Sequence, residues 1–270
     1  LRSLSIALAL VLATAATPEP LVEDPFPVYT GDEFKALYDH AVRHELSNLT
    51  PTQGRLPVTG DPDLDARIWD LAIARGYVLR PLAGPDLATV DGVPMQPQAA
   101  EAWEQLRVAA RAAGHQFVVS SAYRPPESQR VQFNSKLTGT TNEAIAAALT
   151  WYSVPGTSKH HGGYALDFRY AEGTFGEFRE TPDYAWLSED NFLNAKRFGF
   201  IPSYPDDVTA QGPNPEPWEF VWVGVELIRC GMACVEAASG PLARHPGGKS
   251  PLEFAFDRNA RRRQWRRTIG

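Results

Sequence analysis

Through the first half of the chain, apolar residues recur three or four positions apart, the period of a helix with one buried face. The stretch Asp32–His44 (DEFKALYDHAVRH) opens with acids and closes with bases, as the helix dipole favours, and predicts a helix. Asp61–Gly76 (DPDLDARIWDLAIARG) predicts a second, with Leu64, Ile68, Leu71 and Ile73 as its apolar positions and Gly76 as its cap. A third runs from Gln98 to Ala113 and stops at Gly114; two more are expected at Glu127–Leu137 and Asn142–Leu149. Between them Phe117–Ser121 reads as a short buried strand. Beyond a loop rich in Gly, Ser and His at Thr150–Tyr164, the period shortens. Strands are expected from Ala165 (ALDFR), at GFIPSY and at WEFVWV, with one helix near Ser188–Phe198. VELIRCGMACVEAA reads as one helix with Cys230 and Cys234 on the same face. A disulfide within one helical turn is geometrically awkward, so two buried thiols are predicted. Helices first and short strands later predict an α+β fold: a small central antiparallel sheet with helices packed on one face.

The two ends depart from this pattern. LRSLSIALALVLATAATPEP places one Arg before an apolar run from Leu4 to Ala13, and Ala13-Thr14-Ala15 supplies an A-x-A cleavage pattern. The run is about half of the roughly 20 residues that a membrane span needs. It predicts a signal peptide over 1–16 and export, to the periplasm or the extracellular space. Residues 17–31 are Pro-rich and read as a linker, 32–240 as the folded domain and 241–270 as a basic tail. At 270 residues, with 43% hydrophobic and 21% charged, the chain can bury a full core, which excludes disordered, collagen-like and coiled-coil classes. Net charge is −6 although six Arg and no acid follow from Arg258 onward, so the body is acidic. That excludes nucleic acid as a partner, because phosphate contacts need a basic face. The tail (RNARRRQWRR) reads as a solvated end, with contact to an anionic membrane or wall polymer as its functional alternative.

Three clusters carry candidate chemistry. In SKHHGGYALD the strand period puts Ala165, Asp167 and Arg169 on one face and Leu166 and Phe168 on the core side. The Gly162-Gly163 pair allows a reversal that brings His160 back beside Asp167, an imidazole and a carboxylate suited to a metal ion. His161 directly follows His160 and is expected to point elsewhere. In PEPWEF, Pro217 favours an extended Glu216, and a three-residue polyproline turn would set Glu216 and Glu219 on similar sides. Two carboxylates converging beside an Asp repel one another unless a cation sits among them. In SSAYRPPESQ, Arg124 follows the strand Phe117–Ser121, where a guanidinium can hold a carboxylate or polarise a carbonyl.

The order SAYR, SxHxxGxAxD, WL…NA…FGF…SYP and EPW resembles the VanY-like D-alanyl-D-alanine carboxypeptidases. These belong to a wider group of zinc peptidases that includes lysostaphin and the hedgehog signalling domain. The resemblance runs from Gly60 to Gly224 and implies a fold of the hedgehog/D-Ala-D-Ala peptidase type. Carried over residue by residue, it implies zinc bound by His160 and Asp167, Glu216 as general base, and Arg124 orienting the substrate and stabilising developing negative charge. Ser158 matches the motif serine near the substrate's terminal group, and Trp218 in EPW is taken as a further substrate contact. The implied activity is zinc-dependent hydrolysis of peptidoglycan stem peptides, by a D,D- or L,D-carboxypeptidase or an endopeptidase.

One position departs from the family. The pattern E-x-W-H ends in the third zinc ligand, and this chain has Glu219 there; an Arg usual shortly afterwards is replaced by Val221. Glutamate is a legitimate zinc ligand, so His160, Asp167 and Glu219 form the expected set. That set carries one positive charge fewer and more oxygen, which admits another divalent metal such as Mn²⁺. The alternative reading is a catalytically degenerate relative that binds peptidoglycan without cutting it.

Overall fold

The structure is a computed structural model that describes residues 26–239; the expected signal peptide and basic tail lie outside those residues. In chain order the elements are α1 (Gly31–His44), β1 (Leu49–Thr50), α2 (Pro62–Ala74), β2 (Leu82–Ala83), β3 (Ala88–Val90), β4 (Val93–Met95), α3 (Pro97–Ala112), β5 (Phe117–Ser121), α4 (Pro126–Lys136), α5 (Asn142–Leu149), β6 (Ala165–Tyr170), α6 (Pro182–Lys196), β7 (Phe200–Pro202), β8 (Glu219–Trp222), α7 (Val225–Cys230) and α8 (Met232–Ser239). Short 3-10 turns lie at Lys159–Gly162 and Phe178–Glu180. Among the described residues no helix is long and apolar enough to cross a membrane.

Strands β5, β6, β8 and β7, in that spatial order, form the central antiparallel sheet. Their period of two decides what each face does. Leu166 and Phe168 of β6, Phe220 of β8, Phe200 of β7 and Phe117 of β5 share a core with Trp103 and Leu106 of α3 and Leu187 and Ala195 of α6. The Trp103 ring stacks on Phe168 at 5.2 Å, and Phe168 meets Phe220 at 5.3 Å. Each such side chain contributes roughly 1.5–3 kcal/mol by leaving water. The opposite face has two ends. At one, Ala165, Val221 and Ile201 pack with Phe34, Leu37 and Ala41 of α1 and Leu227 and Ile228 of α7. At the other, Asp167 and Glu219 line a cavity. The α+β antiparallel architecture is the expected one, with α3 and α6 on the first face and α1 and α7 adding cover at one end of the second.

Local signals explain the elements. Thr30 caps α1 through a reciprocal box with Glu33, and Asp61 caps α2 by accepting from the N–H groups of Asp63 and Leu64. The buried face of α2 is Ile68, Trp69 and Ala72; Ile73, placed in the apolar set by spacing, is exposed. Three further readings change. Phe26 and Tyr29, within the stretch read as a linker, are buried in the core with α1 and α7, so residues 26–31 belong to the folded body. The helix expected at Ser188–Phe198 starts earlier, at Pro182, and is interrupted where Asp190, Asn191 and Phe192 adopt positive φ. There the Asn191 amide bonds both the N–H and the carbonyl of Tyr29. Finally, Cys230 and Cys234 form a disulfide rather than two thiols. Gly231 at φ 63° breaks the expected single helix into α7 and α8, leaving the two Cα atoms 5.7 Å apart, within disulfide range.

Candidate active site

Strand register builds the floor of the site. Asp167 of β6 pairs across the ladder with Glu219 of β8 on one side and Ser121 of β5 on the other. His160 arrives from the 3-10 turn that Ser158 caps, its hydroxyl accepting from the His160 N–H at 3.3 Å. Gly163 then reverses the chain into β6 at φ 74°, a left-handed conformation that a side chain would strain. The His160 ring is fixed by Nδ1, which donates to the Ala122 carbonyl at 2.5 Å. Nε2 therefore faces the carboxylates, 3.3 Å from Asp167 Oδ2 and 3.2 Å from Glu219 Oε2. One donor atom from each of the three lies within 4.8 Å of the others. All three residues are buried, at 2%, 5% and 3% exposure for His160, Asp167 and Glu219.

The electrostatics follow from that crowding. Burial alone would lower the His160 pKa, but the charges of Asp167 and Glu219 outweigh it, against Arg124, and raise it to about 10. Burial would raise Glu219, yet the His160 charge and hydrogen bond, with Lys159 and Ser203, hold it at about 2. Glu216 moves the other way: burial and then the charges of Glu219 and Asp167 push it well above the ordinary carboxylate range. Of the two neighbouring glutamates, Glu219 therefore ionises more readily than Glu216 in the metal-free cluster. Asp167 Oδ1 is buried with no hydrogen-bond partner, an acceptor left unsatisfied beside two further ligand atoms. One imidazole nitrogen, two carboxylates and a spare buried oxygen fit a divalent cation such as zinc.

Above this floor lies a cavity of about 570 Å³ whose lining includes Arg124, Ser158, Glu216 and Trp218. The structure thus gathers all seven residues singled out in the sequence. Glu216 and Glu219 come together by a turn, in which the Glu219 N–H donates to the Glu216 carbonyl at 3.0 Å, and not by a polyproline repeat. The Arg124 guanidinium donates to Gln129 Oε1 at 2.9 Å and to Ser121 Oγ at 3.3 Å, and stands 3.9 Å from Asp167 Oδ2. His161 points away from the cluster. Its Nδ1 donates to the Arg124 carbonyl at 2.7 Å and its Nε2 accepts from the Gly156 N–H at 3.0 Å. Burial and the nearby charges lower its pKa to about 4, so the neutral ring steadies the backbone that carries Arg124.

Several site residues have no role assigned from the sequence. Gln129 links Arg124 to the Ser153 carbonyl, at 2.7 Å. Trp151, Tyr152, Phe175 and Tyr204 complete the apolar wall. Ser203 donates to Glu219 Oε1 at 2.5 Å and accepts from the buried Lys159 ammonium at its carbonyl. Ser203 and Tyr204 sit in the SYP of the quoted motif order, which marks their place without giving a role.

Residues 92–225 match the sequence profile of the VanY family, described as D-alanyl-D-alanine carboxypeptidase. The D-alanyl-D-alanine carboxypeptidase of Enterococcus faecalis is 40% identical over 125 residues, 44% of this chain and 44% of that protein. Its namesake from Enterococcus faecium is 30% identical over 111 residues, 40% of this chain and 30% of that protein. The chain thus spans less than half the length of these curated relatives. Among solved structures, VanYB in complex with D-alanine-D-alanine is 34% identical, with 54% of this chain and 81% of that chain covered at a TM-score of 0.46. A VanY D,D-pentapeptidase in complex with Zn(II) is 29% identical, covering 60% of this chain and 94% of that one at the same TM-score, 0.46. Every residue lining the cavity falls inside the matched segment, and the chain belongs, through residues 92–225, to the VanY family of D-alanyl-D-alanine carboxypeptidases.

Proposed function

We propose that this chain is a metal-dependent carboxypeptidase that trims peptidoglycan stem peptides outside the cytoplasm. The observation that carries the reading is the convergence of His160, Asp167 and Glu219, all buried, beneath a cavity walled by Glu216 and Arg124. His160 Nε2, Asp167 and Glu219 would hold the ion, zinc or another oxygen-tolerant divalent metal. A zinc ion so held supplies positive charge that lowers the pKa of water toward ~7 and polarises a carbonyl.

The remaining roles belong to side chains of the cavity. Glu216 takes the proton from the attacking water and hands it to the departing amine, the work of a general base and then a general acid. Its raised pKa, from burial and its carboxylate neighbours, suits the second half of that task. Arg124, held by Gln129 and Ser121, presents its guanidinium to the negative charge that develops on the scissile carbonyl or to the substrate's terminal carboxylate. Ser158 lies near the terminal residue, and Trp218 offers its ring to the peptide. A D-alanyl-D-alanine terminus is the first substrate to test, because the relatives carry that name and VanYB is in complex with that dipeptide. Export is supported by the leader pattern and by the Cys230–Cys234 disulfide, which persists in oxidising compartments. For the arginine tail we carry forward contact with an anionic membrane or wall polymer, tested by fractionation after deletion of residues 258–270.

The test is metal analysis of the purified chain alongside mass spectrometry of muropeptides incubated with it. The reading expects a bound divalent ion and loss of the terminal alanine. One observation favours a second reading: His160 ion-pairs both carboxylates, so the cluster can also close on itself. A peptidoglycan-binding relative without activity would pull down sacculi and release no alanine.

A further inference from the structure

Glu219 is the donor in which this chain departs from its family, and its two oxygens have different surroundings. Oε2 faces His160 Nε2 at 3.2 Å, inside the candidate ligand cluster. Oε1 is turned away and accepts from Ser203 Oγ at 2.5 Å, between two residues that are 4% and 3% exposed. Ser203 is itself held at three points. Its hydroxyl donates to Oε1, its N–H donates to the Glu219 carbonyl at 3.0 Å, and its carbonyl accepts from Lys159 Nζ. Lys159 is clamped in turn, its ammonium 3.7 Å from the Tyr204 ring centroid and 4.9 Å from that of Tyr38. Because Lys159 immediately precedes His160 in the 3-10 turn, one short chain of contacts ties the loop bearing His160 to the strand bearing Glu219.

We propose that Ser203 is a positioning residue that restricts Glu219 to a single oxygen toward the metal. The proposal rests on the metal reading given under Proposed function. A histidine offers one lone pair at this position, whereas a carboxylate can bind through one oxygen or two. Two-oxygen binding raises the coordination number and favours cations that take six or more oxygens over tetrahedral zinc. By occupying Oε1, the Ser203 hydroxyl lets a glutamate act with the denticity of an imidazole. Hydrogen-bond partners of ligating carboxylates usually change metal affinity by 10–100-fold when removed.

The test uses the full chain and three probes: Zn²⁺ and Mn²⁺ affinities by chelator competition, and the visible spectrum of the Co²⁺ form. Ser203→Ala is expected to bind Zn²⁺ about 10–100-fold more weakly, to lose less for Mn²⁺, and to show weaker Co²⁺ absorbance as the coordination number rises. Ser203→Thr, which keeps the hydroxyl, should retain the wild-type values. Circular dichroism checks that the variants fold; should Ser203→Ala fail, Ser203→Cys, with its weak donor, gives the same comparison. Unchanged affinities and an unchanged Co²⁺ spectrum in Ser203→Ala overturn the proposal alone. A wild-type chain that binds none of the three ions overturns the metal reading, and this proposal with it.

Discussion

Asp167 and Glu219 stand directly opposite each other across the β6–β8 ladder, two buried carboxylates in cross-strand register. Like charges in that relation destabilise a sheet, and a buried charge without a partner costs several kcal/mol. Both lie within 3.3 Å of His160 Nε2, which is the partner the register demands. In His160→Ala that partner is gone, and in metal-free protein we expect a loss of about 3–5 kcal/mol of stability. Urea unfolding of the two proteins in chelator measures it; a loss well under 1 kcal/mol would mean the carboxylates find their compensation elsewhere.

The same triad sets a pH dependence. His160 rises from 6.5 to about 10, so its contribution to stability is fully present below pH ~6.5 and is lost as pH rises through 10. Glu219 falls from 4.5 to about 2, so its contribution is present above pH ~4.5 and is lost as pH falls through 2. At neutral pH metal-free His160 holds a proton on the nitrogen that faces the site. Metal uptake at pH 7 should therefore release at least about one proton, since ligating imidazole must be neutral. Calorimetry in buffers of different ionisation enthalpy counts it. Uptake with no proton released would show that His160 Nε2 is not the ligand.

Glu216→Gln tests the base without disturbing the ligands. Amide and carboxyl have similar size, so metal affinity should stay close to wild type. Turnover should fall by roughly 10²–10⁴-fold, the usual share of a positioned acid–base group. Alanine release from a muropeptide reads it directly, and unaltered turnover would remove Glu216 from the mechanism.

Much of this site was legible in the sequence because its signals are local. The two-residue period of ALDFR put Asp167 beside Ala165, and the glycine pair before it allowed His160 to turn back; the structure has both. Phe117–Ser121 and Asn142–Leu149 also form as read, since their patterns need no distant partner. The hairpin of β3 and β4 was missed although Asp91-Gly92, both at positive φ, is a standard two-residue turn signal. The early start of α6 was likewise marked, by Thr181 as cap and Pro182 at the first turn. Other features depend on contacts far along the chain. The break at residues 190–192 is held by Tyr29, and the Ser203–Glu219 bond joins the residue that follows β7 to the first residue of β8, a pairing that no local pattern encodes.

Glu219 itself separates ligand from bystander. Glu219→Ala should weaken zinc binding, whereas a carboxylate held only by Ser203 and His160 would leave affinity unchanged. Glu219→His restores the two-His, one-Asp set of the family and one unit of positive charge, so zinc selectivity over Mn²⁺ should rise. Competition titrations on the three proteins decide it.

The disulfide offers a check on the fold at its far end. Cys230 and Cys234 close a very short loop across the α7–α8 break, a constraint worth about 2 kcal/mol in the loop-entropy treatment. Cys230→Ser with Cys234→Ser should lower stability by about that amount while sparing metal affinity, because the pair lies with α1 and α7 and outside the cavity. Thiol titration of the unfolded wild-type chain that found two free cysteines would contradict the bond.

Native mass spectrometry of the purified chain, with His160→Ala beside it, puts the most direct question to the account. The wild-type chain should carry one divalent ion, or take one up from zinc, and the variant should carry none under the same conditions. A wild-type chain that stays metal-free in excess zinc, or a His160→Ala chain that keeps its ion, would contradict the assignment of His160, Asp167 and Glu219 as the metal site.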